Sequence, residues 1–413
     1  MGPVRGLLKD RRGAIAVMLA AATPMLIGSV GLGVDTVQWT MAKRLMQRQA
    51  DSAALAGAYG IAQGQSVTAA VNSDLSRNAR VVLTAPPVIE RGPSRGPFAG
   101  DPSAVRVALS TVQNLPFTSL FVPDGVTINV EATAAVAQQG DYCALALEDQ
   151  SVVGITMSGN TTVDFRCGMA TNSRASNAVD ASGSATIFAT PIQAVGGLSP
   201  SNAYKMPTTL IPYAIPQRDP LAELPNPTGF GAPQNGTVNS NQTRTLNPGT
   251  YNGMNIRGTA ILNPGVYLID GGEFRVNAQA TVRGENVTIV LTSQTAASNP
   301  GSIATVTING GATMDLTAPT TGTYKGVLFY QDRRATNASQ TNKINGNSSS
   351  RFQGAIYFPG TTVEFTGTQG MVIDCVQLVA RRLSFIGNST VRNVCPPGYQ
   401  AGDFTGTAVR LVG

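Results

Sequence analysis

An uncharged, mostly apolar run extends from Gly13 to Val34, preceded by Arg5, Lys9, Arg11 and Arg12 and ended by Asp35. These 22 residues at ~1.5 Å rise reach ~33 Å, enough to cross a ~30 Å hydrocarbon core. Ala14, Ile15, Val17, Leu19, Pro24, Leu26, Ile27, Val30, Leu32 and Val34 are the expected membrane-facing residues. The basic cluster before the span predicts a cytoplasmic N-terminus and an exported body. Two alternatives are a signal peptide cleaved near Ala20-Ala21-Ala22 and a buried soluble helix. The run is longer than the ~7–15 residues of a signal-peptide core, which favours an anchor, and Pro24 is placed to kink it.

Beyond Asp35 the helical period continues. Val37, Met41 and Leu45 recur at i+4, as do Leu55 and Tyr59. Between them the small residues of Ala50–Ala58 permit close helix approach. This face either packs on its own domain or is reserved for a partner. In the second case Asp35, Met41, Leu45, Asp51, Ala54, Leu55 and Gly57 are the candidate contacts.

Val71, Leu75 and Ala79 predict a further helix over 67–79. Val105, Val107, Leu109 and Thr111, and then Val126, Ile128, Val130 and Ala132, alternate as in half-buried strands. Leu115–Phe121 predicts a short helix between them. A small α+β domain over 64–140 follows.

The remaining chain carries a degenerate kernel: a β-former, a small polar residue, Gly or its substitute, then alternating residues. Gly159, Gly183, Gly258, Ala278, Gly310, Gly346, Gly367 and Gly387 mark the copies. Spacings of 24 (159 to 183), 20 (258 to 278), 21 (346 to 367) and 20 (367 to 387) residues suit one coil of a solenoid. Short strands with Gly/Asn corners favour a parallel β-helix, with a β-sandwich as the alternative. Eight prolines between 198 and 236 predict an extended crossing segment, either draped over the solenoid or offered to a partner.

Cys143 and Cys167 lie 24 residues apart, and Cys375 and Cys395 20 apart, each close to one coil. Residues one coil apart stack at ~4.8 Å, within disulfide reach. Pairs Cys143–Cys167 and Cys375–Cys395 are therefore expected to staple the two ends of the solenoid and to indicate an oxidising compartment.

The predicted organisation is mainly β. It comprises a basic tail (1–12), a span (13–34), a membrane-proximal helix (35–63), the α+β domain (64–140), first solenoid coils (141–197), the Pro-rich linker (198–236), the main solenoid (237–400) and a C-terminal tail (401–413).

Composition narrows the chemistry. The 413 residues contain no His, which removes Ser-His-Asp and Cys-His catalysis and His-ligated metal sites. Charged residues are 13%, against roughly 25% in ordinary domains. The net charge of +6 is spread without a basic stripe, so no nucleic-acid partner is expected. Asp270 with Glu273 and Arg275, Asp332-Arg333-Arg334, and Asp374 with Arg381-Arg382 are the acid–base groupings a carbohydrate-active enzyme could use. Corner and surface charges account for them equally well. Asp180-x-Ser182-x-Ser184 matches a metal-binding loop pattern but also fits the repeat. No cofactor, metal or small-molecule ligand follows from these residues, and the chain reads as a non-enzyme.

From Arg11 to Ala58 the chain has Arg-Arg-Gly, a Pro-containing apolar span, Gly-x-x-x-Asp at Gly31–Asp35, a polar helix, and Asp51-Ser52-Ala53-Ala54-Leu55-Ala56-Gly57. In this order it resembles the N-terminal region of TadG-like Flp/Tad pilus-assembly proteins. Pilins of that system carry Glu five residues after a cleaved Gly, where this chain has Met18. The resemblance therefore implies a protein that remains in the bacterial inner membrane as a single-pass, non-catalytic, periplasm-facing accessory. Its partners would be other Tad components. A surface adhesin or a carbohydrate-binding β-helix is the alternative.

Overall fold

The computed structural model describes residues 14–205, 207–336, 340–347, 349–367, 370–388, 390–393 and 405–412. The chain divides into two compact units, one of residues 1–137 with 409–413 and one of residues 138–408.

In the first unit, helix α1 (Ala14–Ala62) is continuous through Pro24. The expected span and membrane-proximal helix are thus one element. Helix α2 (Val67–Arg77) is capped by Ser66, whose Oγ accepts from Ala69 N. Strands β1 (Val88–Arg91), β2 (Ala104–Gln113) and β3 (Val126–Ala146) follow, with β2 antiparallel to β1 and to the first part of β3. The apolar residues of the alternating strands, Val105, Val107, Leu109, Ile128 and Val130, face one way. They bury Met46, Ala50, Ala53, Ala54 and Ala58 of α1 and Val71 and Leu75 of α2. The expected helix over Leu115–Phe121 is a single 3₁₀ turn, Thr118–Leu120. Within the expected C-terminal tail, a strand forms over Thr405–Leu411, Val409 packs on this unit's core, and Val412 N donates to Thr133 O.

The second unit is a solenoid-like sheet of parallel ladders. The β-sandwich alternative requires antiparallel hairpins, and the ladders here are parallel. One ladder runs Thr250, Leu268, Val290, Tyr330, Tyr357, Val379, Leu145, Ala170, Gln193, Ile211. Another runs Asn255, Arg275, Thr307, Lys343, Glu364, Ser384, Thr156, Asp180. In both, spatial order departs from chain order at the same level. The coil containing 370–393 stacks on the coil containing 141–164. The coils of 141–211 therefore continue the stack begun by 234–393, and the chain enters it in the interior.

Side chains from successive coils fill the core. Phe365 stacks on Phe385 with ring centroids 5.2 Å apart, and Phe385 meets Phe165 edge-on at 5.8 Å, so the aromatic stack crosses the break. The corner glycines do the same. A Cβ on Gly159 (φ +80°) would lie 2.6 Å from Gly387 O, and one on Gly183 (φ +70°) 2.9 Å from Gly159 O. Only glycine permits both that backbone conformation and that approach.

The Pro-rich segment still contributes to the stack at its start, through bridges at Leu198 and Tyr204 and the strand Leu210–Ile211. Its remainder lies along the outside of the Tyr330–Tyr357 ladder. Leu221, Leu224 and Phe230 pack there. Tyr357 Oη donates to Asp219 Oδ2 at 2.6 Å, and Arg333 Nη2 donates to Leu221 O at 3.1 Å and Leu224 O at 3.0 Å. The segment is a strap returning the chain from one end of the stack to the other.

Cys143 and Cys167 form a disulfide with Cα atoms 5.8 Å apart. The bond does not staple an end. Asn393 Nδ2 donates to Cys143 Sγ at 3.1 Å, which puts it at the break inside the stack. The Cys375–Cys395 pairing lies outside the described residues, as do the basic residues of 1–12 and the side chains of Ala14 and Asp374.

Candidate functional site: the exposed helix and its latch

Over 15–34 the large apolar side chains of α1 are exposed, from 40% at Val34 through 70% at Ile15 and Val17 to 79% at Met25. Leu19, Leu26, Ile27, Val30 and Leu32 lie between these limits, and Pro24 is exposed. The helix is long and apolar enough to cross a membrane. Thr23 Oγ1 donates to Leu19 O at 2.6 Å and Thr36 Oγ1 to Leu32 O at 2.7 Å. Both hydroxyls thus carry no unmet donor on this apolar surface.

Gly31 alone is buried within 15–34, and the next buried residue is Asp35. A Cβ on Gly31 would stand 2.4 Å from Phe117 Cδ1, so glycine lets the Phe117 ring lie directly on the helix. One turn later, Asp35 is 2% exposed. Its carboxylate accepts from Phe117 N at 3.1 Å, from Thr118 N, and from Thr118 Oγ1 at 2.7 Å. It caps the 3₁₀ turn 118–120 from a helix more than eighty positions away. Burial pushes the carboxyl pKa up, but the bonds from Thr118 and Phe117 outweigh it and hold the group below the ordinary carboxylate range. The Gly-x-x-x-Asp motif is thus structural. Its glycine admits the ring, and its aspartate ties down the loop that carries the ring.

This revises the partner-helix reading. Ala54 and Gly57 are buried in their own unit, where a Cβ on Gly57 would meet Val105 and Val71 within 3 Å. Asp35 is committed to the 3₁₀ turn. Leu45, Asp51 and Leu55 are half-buried, and Asp51 accepts from Gln47 Nε2 at 2.9 Å. Of the candidates, Met41 is the exposed one, at 60%. The small-residue face serves the domain's own packing, because closely approaching sheet and helix leave no room for larger side chains.

The acid–base groupings are engaged in structural contacts. Asp270 accepts from Gln294 N at 2.8 Å and Nε2 at 2.6 Å, while Glu273 accepts from Arg275 Nε at 2.7 Å. Asp332 is fully buried and accepts from Thr292 Oγ1 at 2.8 Å and Arg334 Nε at 2.9 Å. Burial raises its carboxyl pKa, and the Arg334 bonds more than offset this. Arg381 and Arg382 both bind Glu148. In the Asp-x-Ser-x-Ser stretch, Asp180 is level with Thr156, and Ser182 N and Ser184 N donate to Met157 O and Gly159 O of the adjacent coil. Among the described residues no three His, Cys, Asp or Glu side chains are grouped to hold a metal.

Sequence reasoning missed Phe117, Thr118 and Glu148. A lone Glu following the buried strand residues Ala144–Ala146 is a signal for a paired internal charge. Nothing local marks Phe117 as a partner of Gly31.

No curated protein and no solved structure matches the chain. Residues 13–62, the stretch of the apolar helix and its packed continuation, match the family model of putative Flp pilus-assembly TadE/G-like proteins.

Proposed function

We propose that the protein is a single-pass, non-catalytic accessory of Flp/Tad pilus assembly. In this reading residues 13–34 cross the inner membrane with the N-terminus cytoplasmic, and a parallel β-helix body stands in the periplasm. The observation that carries it is the family match over 13–62, which falls on one helix that is apolar and uncovered at its start and packed into a domain at its end. The Cys143–Cys167 disulfide suits an exported body. Occupation of the acids by hydrogen bonds and ion pairs favours a scaffold over a hydrolase. Contacts with other Tad components would use exposed surface near Met41 rather than the Ala54–Gly57 face.

The test is the amount of pilin sheared from cells of a deletion strain against its complemented parent. Loss of surface pilin with pilin still present inside the cell is expected. Unchanged surface pilin overturns the assembly role.

A further inference from the structure

The loop between β2 and β3 combines an uncharged sequence with internally bonded backbone donors. From Val107 to Pro123 there is no charged residue. At its tip Leu120 is 77% exposed, Phe121 85% and Val122 42%. These side chains face the bare part of α1: Pro24, Ile27, Gly28 and Leu32 line one groove together with Leu120 and Phe121. Every N–H from Phe117 to Val122 has an internal acceptor. Phe117 and Thr118 donate to Asp35, Ser119 to Leu115 O, Leu120 to Phe117 O, and Phe121 and Val122 to Thr118 O. The hydroxyls are satisfied too, Thr118 on Asp35 and Ser119 on Pro116 O. Internal satisfaction of the donors is what placing backbone in hydrocarbon demands.

We propose that this loop is a second membrane-contacting element: Leu120, Phe121 and Val122 insert among the acyl chains of the leaflet that α1 leaves at Asp35. The occupant of the groove is lipid, because the groove is continuous with the helix surface that lipid would cover, and its one charged lining residue, Asp35, lies at its end with its carboxylate held by Phe117 and Thr118. Asp35 is the latch that sets the loop's depth, gathering the polar groups of its base at the end of the span. A two-point attachment resists tilting of the first unit about the helix, which one helix cannot do.

The inference rests on reading 13–34 as a span, and the test separates the two. Trp39, the one tryptophan of the chain, is replaced by Phe in the full-length protein. Single reporters are then introduced as Phe121→Trp, Leu120→Trp, Leu26→Trp, and Ala99→Trp in the exposed loop at the other end of β2. Each protein is reconstituted into phosphatidylethanolamine–phosphatidylglycerol vesicles and exposed to acyl-brominated lipid or to aqueous acrylamide. The expected result is loss of emission to brominated lipid at 26, 120 and 121, with a blue shift and protection from acrylamide, and the reverse at 99. If 26 is quenched by lipid while both loop reporters behave like 99, the proposal is overturned and the anchor stands. If 26 also behaves like 99, the anchor reading falls and takes the proposal with it.

Discussion

Arg382 Nε donates to Glu148 Oε2 at 2.8 Å across 234 positions of sequence. Arg381 Nε reaches the same oxygen at 3.0 Å, and the Glu148 side chain is fully buried. This contact lies where the last described coil of the long stretch meets the first coil of the short one. It supplies a charge pairing at a level where chain connectivity supplies nothing.

Burial raises the Glu148 pKa, and the two guanidinium groups outweigh it, so the group is held below its ordinary value of 4.5. A depressed folded-state pKa contributes stability that is complete above the unfolded value and is lost as pH falls through the folded one. Glu148→Gln should cost about 2 kcal/mol at neutral pH. That is less than the ~3–5 of a fully buried pair, because both arginines keep about a quarter of their side chains in water. Urea midpoints of the two proteins should differ by a constant amount down to the ordinary carboxylate range and converge below it. A gap independent of pH would show that Glu148 acts by packing.

A single cut in the strap, between Asp219 and Phe230, should leave the two pieces associated. The ladder from Val379 to Leu145 and the Phe385–Phe165 contact join them without the strap. The expected outcome of limited proteolysis is co-elution of both fragments on gel filtration and separation on a denaturing gel. Tyr357→Phe, which removes the bond to Asp219, should speed cleavage in this segment.

Gly31→Ala should destabilise the first unit by about 1–3 kcal/mol through overpacking against Phe117. The emission of Trp39, which packs against this unit's core, reports the melt. Phe117→Ala in the same chain should recover part of the loss. Equal penalties in both backgrounds would mean that the ring and the glycine do not interact.

Non-reducing peptide mapping should recover Cys143 joined to Cys167. Replacing both by Ser should lower stability by about 3 kcal/mol for a loop of 24 residues. Recovery of Cys143 joined to Cys375 would contradict the stacking of coils at the break.

The local elements were legible in the sequence. Gly13 to Val34 is apolar and uncharged, so one helix followed; alternation at 105–111 and 126–132 gave the paired strands. Gly159, Gly183 and Gly387 marked coil corners because each needs a conformation open to glycine. The Cys143–Cys167 spacing equals one coil, so that bond too could be read from the chain. The order of the coils could not. Every coil presents the same alternating row of backbone donors and acceptors on each edge, so a parallel ladder accepts any coil whose inward side chains fit. That 370–393 meets 141–164 was decided by Phe385 on Phe165, Gly387 on Gly159 and the arginine pair on Glu148, contacts between residues more than two hundred positions apart. Likewise, composition and periodicity defined the long apolar helix. What tertiary structure added was the Phe117 ring on Gly31 and the turn at Thr118 on Asp35, because a side chain's partner depends on which distant loop the fold delivers to it.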